Sequence, residues 1–205
     1  MNHQLECSDK HYWHHFTDFY NHELRLFECK NVLEFGIWKG ASIRWLRDKF
    51  PLANIYGVDI LDIQATWPHD EKIKYYQANQ EDVRQIRSVF SEIDSIFDLV
   101  IEDGSHLPTH QRNCLVESLS HMRPGGMYIL EDIHTSHPLH PYYKKIKPFF
   151  RSLIGPLHLL LAIQHIKSTN DKKTQDKLQG LSKNSLFSSD EVRFLFETID
   201  SIKIY

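Results

Sequence analysis

Five short apolar runs, set between stretches of helical periodicity, are the feature that most narrows the folds open to this chain. The runs are Asn31–Phe35, Ile55–Ile60, Ile73–Ala78, Asp98–Ile101 and Met127–Leu130. They are apolar throughout rather than at alternate positions. That is the pattern of strands covered on both faces, as in a parallel sheet flanked by helices. Between them, Ala41–Phe50, Glu81–Phe90 and His110–Met122 carry apolar residues at helical spacing, and Pro51 stops the first. Pro124-Gly125-Gly126 reads as a turn.

The flanks are read the same way. Tyr12, Phe16, Phe19, Tyr20, Leu24 and Phe27 predict a leading helix over residues 9–28. Past Ile133 the pattern weakens. Helices are expected over 142–150 and 153–166, and a polar mobile loop over 168–189. Two strands, 193–198 and 201–205, are expected at the C-terminal end as an antiparallel pair. The 205 residues suffice for one domain with a sizeable core and fall short of two.

Charge and cysteine usage set outer bounds. The formal net charge is -3, without the basic face that nucleic acid requires, so no nucleic-acid partner is expected. No apolar run approaches the roughly 20 residues of a membrane span, and residues 1–15 hold no apolar signal segment. No membrane partner is expected. Three widely spaced cysteines without a CxxC pair point to reduced thiols and a cytoplasmic protein.

The strand ends carry the chemistry. Val32–Ser42 reads VLEFGIWKGAS: an acid near the strand end, then Gly36 and Gly40 before a helix. Glycines let backbone pass close to a ligand, and a helix N-terminus can receive a carboxylate. The G-x-x-x-G spacing is not the G-x-G-x-x-G of dinucleotide binders. Asp59 ends the second run, where a carboxylate can accept from both ribose hydroxyls. Asn79 and Gln80 follow the third, where an adenine ring would lie. Any glycine-bearing strand-to-helix turn resembles the first of these pieces taken alone; Glu34, Asp59 and Gln80 in phase make it a nucleoside site.

The fourth run ends in Glu102-Asp103-Gly104-Ser105-His106 and the fifth in Glu131-Asp132-Ile133-His134-Thr135-Ser136. Strands four and five of a doubly wound sheet are neighbours, so Asp103, Glu131 and Asp132 are expected to gather. Three such carboxylates repel unless a cation neutralises them. Oxygen ligands favour Mg²⁺, with Mn²⁺ as substitute. His106 is then placed to take a proton from a metal-held hydroxyl. The bland alternative is a set of strand-end acids with a turn histidine. A zinc site is a second alternative among the 14 histidines. Prolines interrupt His134, His137 and His140, and on the leading helix only His11/His14 or His11/His15 share a face.

Together these pieces resemble one family of class I S-adenosylmethionine (SAM)-dependent methyltransferases. It comprises the macrolide and tetracenomycin sugar O-methyltransferases (demethylmacrocin type) and a related group labelled cephalosporin hydroxylases. The matching pieces are Asp9-Lys10 with His15 and Tyr20, LEFGIWKGAS, GVDI, the Asn79-Gln80-x-Asp82 turn, EDGSH with His110, and PGGMYILEDIHTS. Residues 9–137 match well and 191–205 weakly. Asn79 stands where the family has Asp.

The resemblance implies an α/β Rossmann-like, doubly wound, mostly parallel seven-stranded sheet with an antiparallel C-terminal strand pair. It implies a single methyltransferase domain over 1–205, with a leading helix in 1–30 and a variable acceptor or lid region over 137–190. The implied SAM-binding set is Glu34, Gly36, Gly40, Ser42, Asp59, Asn79, Gln80 and Asp103. Asp103, Glu131 and Asp132 are implied Mg²⁺ ligands and His106 the base. The implied reaction is O-methylation of a hydroxyl on a small glycosidic acceptor, by a protein open to homo-oligomer formation. A nucleotide-dependent oxidoreductase on the same fold and a non-catalytic SAM-binding protein are the competing expectations.

Overall fold

The computed structural model describes residue 10 and residues 16–137, 139–141, 153–169 and 174–205. They fall in two compact units. The first runs to Gly104 and adds His121–Ile129; the second comprises Ser105–Ser120 and Leu130–Tyr205.

The first unit holds a five-stranded sheet in the order β3-β2-β1-β4-β5. Its strands are β1 (Asn31–Phe35), β2 (Asn54–Asp59), β3 (Ile73–Gln77), β4 (Phe97–Glu102) and β5 (Met122–Leu130). Ladders β1–β2, β1–β4 and β2–β3 are parallel, with Phe35 opposite Val58 and Glu102. Every residue of β4 is buried, as expected of a central strand. At the sheet edge β3 departs from the all-apolar expectation, because Lys74 and Gln77 face solvent. Strand order reverses at β1/β4, and open α/β sheets take ligands beyond the C-terminal ends of the strands at such a switch point.

Helices α1 (Phe16–Glu23), α2 (Ala41–Lys49) and α3 (Val83–Ile93) complete the unit. Tyr20 of α1 sits edge-on to Trp45 of α2, centroids 5.2 Å apart, over a core that includes Val32, Ile43 and Leu99. Of the rest of the expected leading helix, residue 9 and residues 11–15 lie outside the described residues, and residues 24–28 form a turn and irregular backbone instead of helix. Burial first, then the Asp98 charge, pushes the Cys29 thiol up to about 12, so it stays protonated and unreactive.

Asp98 ties the opposite end of the sheet. Its Oδ2 accepts from the Lys30 and Asn31 backbone N–H at 2.7 and 2.8 Å, and its Oδ1 accepts from Arg123. Burial pushes its pKa upward, but the two N–H donors and the guanidinium outweigh that and hold it below the usual carboxylate range. Stability from this group is therefore present above the unfolded-state value and is lost as pH falls through the depressed folded value. Asp98→Ala is expected to cost roughly 1–3 kcal/mol, the range for taking the acceptor from buried donors, here the Lys30 and Asn31 N–H groups. Chemical denaturation at neutral pH and near pH 3 checks both statements, and the deficit should narrow in acid.

The second unit is helical: α4 (Pro108–Leu119), a 3₁₀ turn (Ile133–Ser136), α5 (Pro156–Thr169), α6 (Thr174–Ser182) and α7 (Ser189–Thr198). Leu159, Ile163, Phe187, Val192 and Leu195 form its interior, and Arg112 of α4 pairs with Glu191 of α7.

Three expectations are corrected. The strand pair expected over 191–205 is absent: 189–198 is helical and 201–205 carries no strand. Ser188 and Glu191 form a capping box, and Val192 and Leu195 recur at helical spacing. The polar stretch 168–189 is not one loop; it contains α6, anchored by buried Leu178. The turn expected at 124–126 lies inside β5, which begins at Met122, with Gly125 at φ +75°. The helix expected over 142–150 falls outside the described residues.

Candidate functional site

In the first unit, the strand-end residues form a bonded network around the β1–α2 loop. Gly36 has φ +89°, and a Cβ there would lie 2.1 Å from the Asp103 carbonyl oxygen. Gly40 has φ +75°, and a Cβ would meet Pro68 Cδ at 2.8 Å. The close approach that both glycines permit is thus to the protein itself. Asp59 turns back on the same loop. Its Oδ2 accepts from Ile37 N–H (2.7 Å) and Trp38 N–H (3.1 Å), and its Oδ1 from Leu61 N–H (2.9 Å). A carboxylate offers about four acceptor positions, so capacity remains beside these three bonds.

Glu34 is fully buried and accepts from Ser42 Oγ at 2.8 Å, tying β1 to the first turn of α2. Gly40, the N-cap of α2, gives that helix start no side-chain cap. Asn79 Oδ1 accepts from Glu81 N–H, a turn that leads into α3 capped by Asp82. Gln80 donates to Glu102 Oε1 at 2.8 Å. A Cβ on Gly104 would meet the Gln80 carboxamide at 2.1 Å, so the two residues are packed face to face. Glu102, a fully buried acid, is a member of this network that strand-end reasoning passed over.

Asp103 stands just past β4 in an ion pair with Lys10, which is 6% exposed. The Lys10 ammonium also lies 5.9 Å from the Tyr20 ring centre. Lys10 was legible only as part of the Asp9-Lys10 match; nothing in its spacing assigned a carboxylate to it.

In the second unit, His106 Nε2 lies 3.6 Å from Asp132 Oδ2, although 26 residues separate them in the sequence. His134 Nδ1 stands 3.7 Å from Asp132 Oδ1. His106 has φ +57° and Asp132 φ +49°, both in the left-handed region. For residues with a Cβ that conformation costs roughly 1–2 kcal/mol, and such strain gathers at functional sites. Glu131 is buried beside Asp132, its carbonyl facing Gln111 Nε2 at 3.4 Å. Ser105 Oγ bonds His110 Nδ1 at 2.7 Å at the start of α4. Ser136 accepts from Leu157 N–H at 3.0 Å, so the Thr-Ser end of EDIHTS caps α5.

Of the sequence-predicted residues, Glu34 and Ser42 are therefore brought together, as are His106 and Asp132. Gly36 and Asp103 are in close backbone apposition. Asn79 and Gln80 lie in the turn between β3 and α3, and Asp59 binds the β1–α2 loop.

This is the Rossmann-like α/β fold of methyltransferases, with a parallel sheet. Residues 33–133 match the family model described as a methyltransferase domain. The mycinamicin VI 2''-O-methyltransferase of Micromonospora griseorubida is 34% identical over 134 residues, 62% of this chain and 31% of its own. A tetracenomycin relative from Streptomyces olivaceus, 8-demethyl-8-(2-methoxy-alpha-L-rhamnosyl)-tetracenomycin-C 3'-O-methyltransferase, is 33% identical over 134 residues, 61% and 34% of the two chains. The solved MycE methyltransferase from the mycinamycin pathway, in complex with Mg, SAH and mycinamycin VI, superposes with a TM-score of 0.61. It is 30% identical, over 74% of this chain and 43% of that one. The chain thus spans about a third of the length of these curated relatives and under half of the solved one. The resemblance carried by the motifs is borne out: the chain is similar to the sugar O-methyltransferases of macrolide and tetracenomycin pathways. Among the described residues no helix is long and apolar enough to cross a membrane.

Proposed function

We propose that this chain transfers the methyl group of SAM to a hydroxyl of a glycosylated small molecule, with Mg²⁺ held by Asp103, Glu131 and Asp132. The observation that carries the reading is the His106–Asp132 pair, both members in left-handed backbone. The relatives supply the substrate class: one methylates a rhamnosyl tetracenomycin, and the solved one binds Mg, SAH and a macrolide.

The residues suit both ligands. The start of α2 lacks a side-chain cap, so its N–H groups suit the carboxylate of the methionine moiety. Asp59 retains acceptor capacity for ribose hydroxyls, and Glu34, Gly36, Gly40, Ser42, Asn79, Gln80 and Asp103 complete the donor-side set. The acids are hard oxygen donors of the kind Mg²⁺ or Mn²⁺ takes. When bound, the ion lowers the pKa of the acceptor hydroxyl and fixes its orientation. His106 Nε2, beside Asp132, receives the proton. The hydroxyl oxygen forms the new C–O bond as the C–S bond of the sulfonium breaks, leaving S-adenosylhomocysteine. Asp103 and Lys10 hold the backbone that meets Gly36. The same reading keeps 137–190 as the variable acceptor or lid region and the whole chain as one domain, in the cytoplasm.

A screen of glycosylated metabolites with labelled SAM and Mg²⁺ tests the reaction. Expected is methyl transfer abolished by EDTA and restored by Mg²⁺ or Mn²⁺. Calorimetry with SAM and with NAD(H) separates the oxidoreductase alternative. Binding of NAD(H) without SAM sinks the proposal, and EDTA-resistant transfer sinks its metal half.

A further inference from the structure

The two strained residues of the second unit share one hydrogen-bond donor. Thr135 Oγ1 lies 2.7 Å from the His106 carbonyl oxygen and 2.8 Å from the Asp132 carbonyl oxygen. Its backbone N–H also donates to Asp132 O at 3.0 Å. A hydroxyl has one proton, so the two carbonyls share it in a three-centre bond. Thr135 is buried, and its β-branched side chain is stiff about χ1, so the hydroxyl has little freedom to follow either carbonyl if it moves.

Left-handed backbone at non-glycine residues persists only where the surroundings over-determine it. Here the determining group is visible. His106 and Asp132 stand at φ +57° and +49°, and the carbonyls of both end on Thr135. Asp132 is the N-cap of the 3₁₀ turn, and its carbonyl accepts from Thr135 through both Oγ1 and the backbone N–H. A carbonyl's direction and its residue's side-chain direction follow from the same φ and ψ. Fixing both carbonyls to one oxygen therefore fixes the two Cα–Cβ directions from which the imidazole and the carboxylate approach, 3.6 Å apart.

We propose that Thr135 is a positioning residue: its hydroxyl clamps the backbone of His106 and Asp132 so that base and metal ligand face the same hydroxyl of the acceptor. This rests on the reading of His106 as base and Asp132 as ligand. The clamp itself is a claim about geometry and can fail separately.

The test compares wild type, Thr135→Val and Thr135→Ser. Valine keeps the shape and removes the donor; serine restores the donor. Mn²⁺ binding, read by electron paramagnetic resonance without SAM or acceptor, should weaken about 10–100-fold in Thr135→Val, the usual effect of losing a group that orients a ligand. SAM affinity by calorimetry should stay within about twofold, since the donor residues do not bond to Thr135. Thr135→Ser should recover most of the Mn²⁺ affinity. Crystals of Thr135→Val should show His106 out of the left-handed region. Unchanged Mn²⁺ affinity in Thr135→Val, or equal loss in Thr135→Ser, overturns the proposal. So does a parallel fall in SAM affinity and melting temperature, which marks general damage. Wild type that binds SAM but no Mn²⁺ overturns the metal reading instead. In that case, Thr135→Val crystals with His106 and Asp132 unmoved overturn the clamp as well.

Discussion

His106→Gly is expected to abolish most methyl transfer while making the protein slightly more stable. Loss of a positioned general base lowers kcat by about 10²–10⁴-fold. The opposite sign for stability comes from the backbone. His106 sits at φ +57°, a conformation glycine adopts freely. Relief of roughly 1 kcal/mol should raise the melting temperature by about 2–4 °C in a chain of this size. His106→Ala provides the contrast. It loses the same imidazole but keeps a Cβ in the left-handed region, so it should lose activity without the gain. Both variants should bind SAM like wild type, because the donor-side bonds of Glu34, Asp59 and Gln80 do not involve His106. The measurements are kcat with labelled SAM, thermal melts, and SAM calorimetry. A His106→Gly variant that keeps wild-type kcat removes the histidine from the chemistry. One that melts below His106→Ala removes the strain.

The sequence made the sheet legible because its signals are local. Buried parallel strands need continuous apolar runs, and Val32-Leu33, Ile55-Tyr56 and Leu99-Val100-Ile101 supply them within a few residues. The Gly36/Gly40 loop was legible for the same reason, but its physical cause was not. Spacing suggested room for a ligand; the contact that excludes a side chain at Gly36 is the Asp103 carbonyl, 67 residues away. Asp59 shows the same limit, since a strand-end acid read as a ribose acceptor also staples the Ile37 and Trp38 N–H groups. The C-terminal error had a different source. Phe194, Phe196 and Ile199 favour strand by propensity, while Ser188-x-x-Glu191 is a helix-start signal that was available and outweighed them. Thr135 stood in plain view within EDIHTS, yet its two acceptors become neighbours only when chain segments 26 residues apart fold together.

The second large effect is expected at Gly36→Ala, and it separates the two roles of Asp103. The new Cβ would stand 2.1 Å from Asp103 O and 2.6 Å from its carbonyl carbon. Both atoms are backbone, so no rotamer change relieves the overlap. Alanine must also hold φ +89°. Left-handed strain and overpacking each cost about 1–3 kcal/mol, so a melting temperature lower by roughly 5–20 °C is expected. The Asp59 bonds to Ile37 and Trp38 must shift with the loop, displacing the carboxylate read as the ribose acceptor. SAM affinity should therefore fall steeply. Asp103→Asn tests the complementary role. It removes the charge that pairs with Lys10 and that would face Mg²⁺, while the carbonyl against Gly36 stays in place. That variant should lose Mn²⁺ binding and activity, lose far less SAM affinity than Gly36→Ala, and melt below wild type because the charge beside the buried Lys10 ammonium is gone. Gly180→Ala is the control: a Cβ there meets nothing within 4 Å, in a helix, so a gain of about 0.5–1 kcal/mol is expected. If Gly36→Ala binds SAM as tightly as Gly180→Ala, the loop is not the donor site, and the methyl donor must be sought elsewhere on the protein.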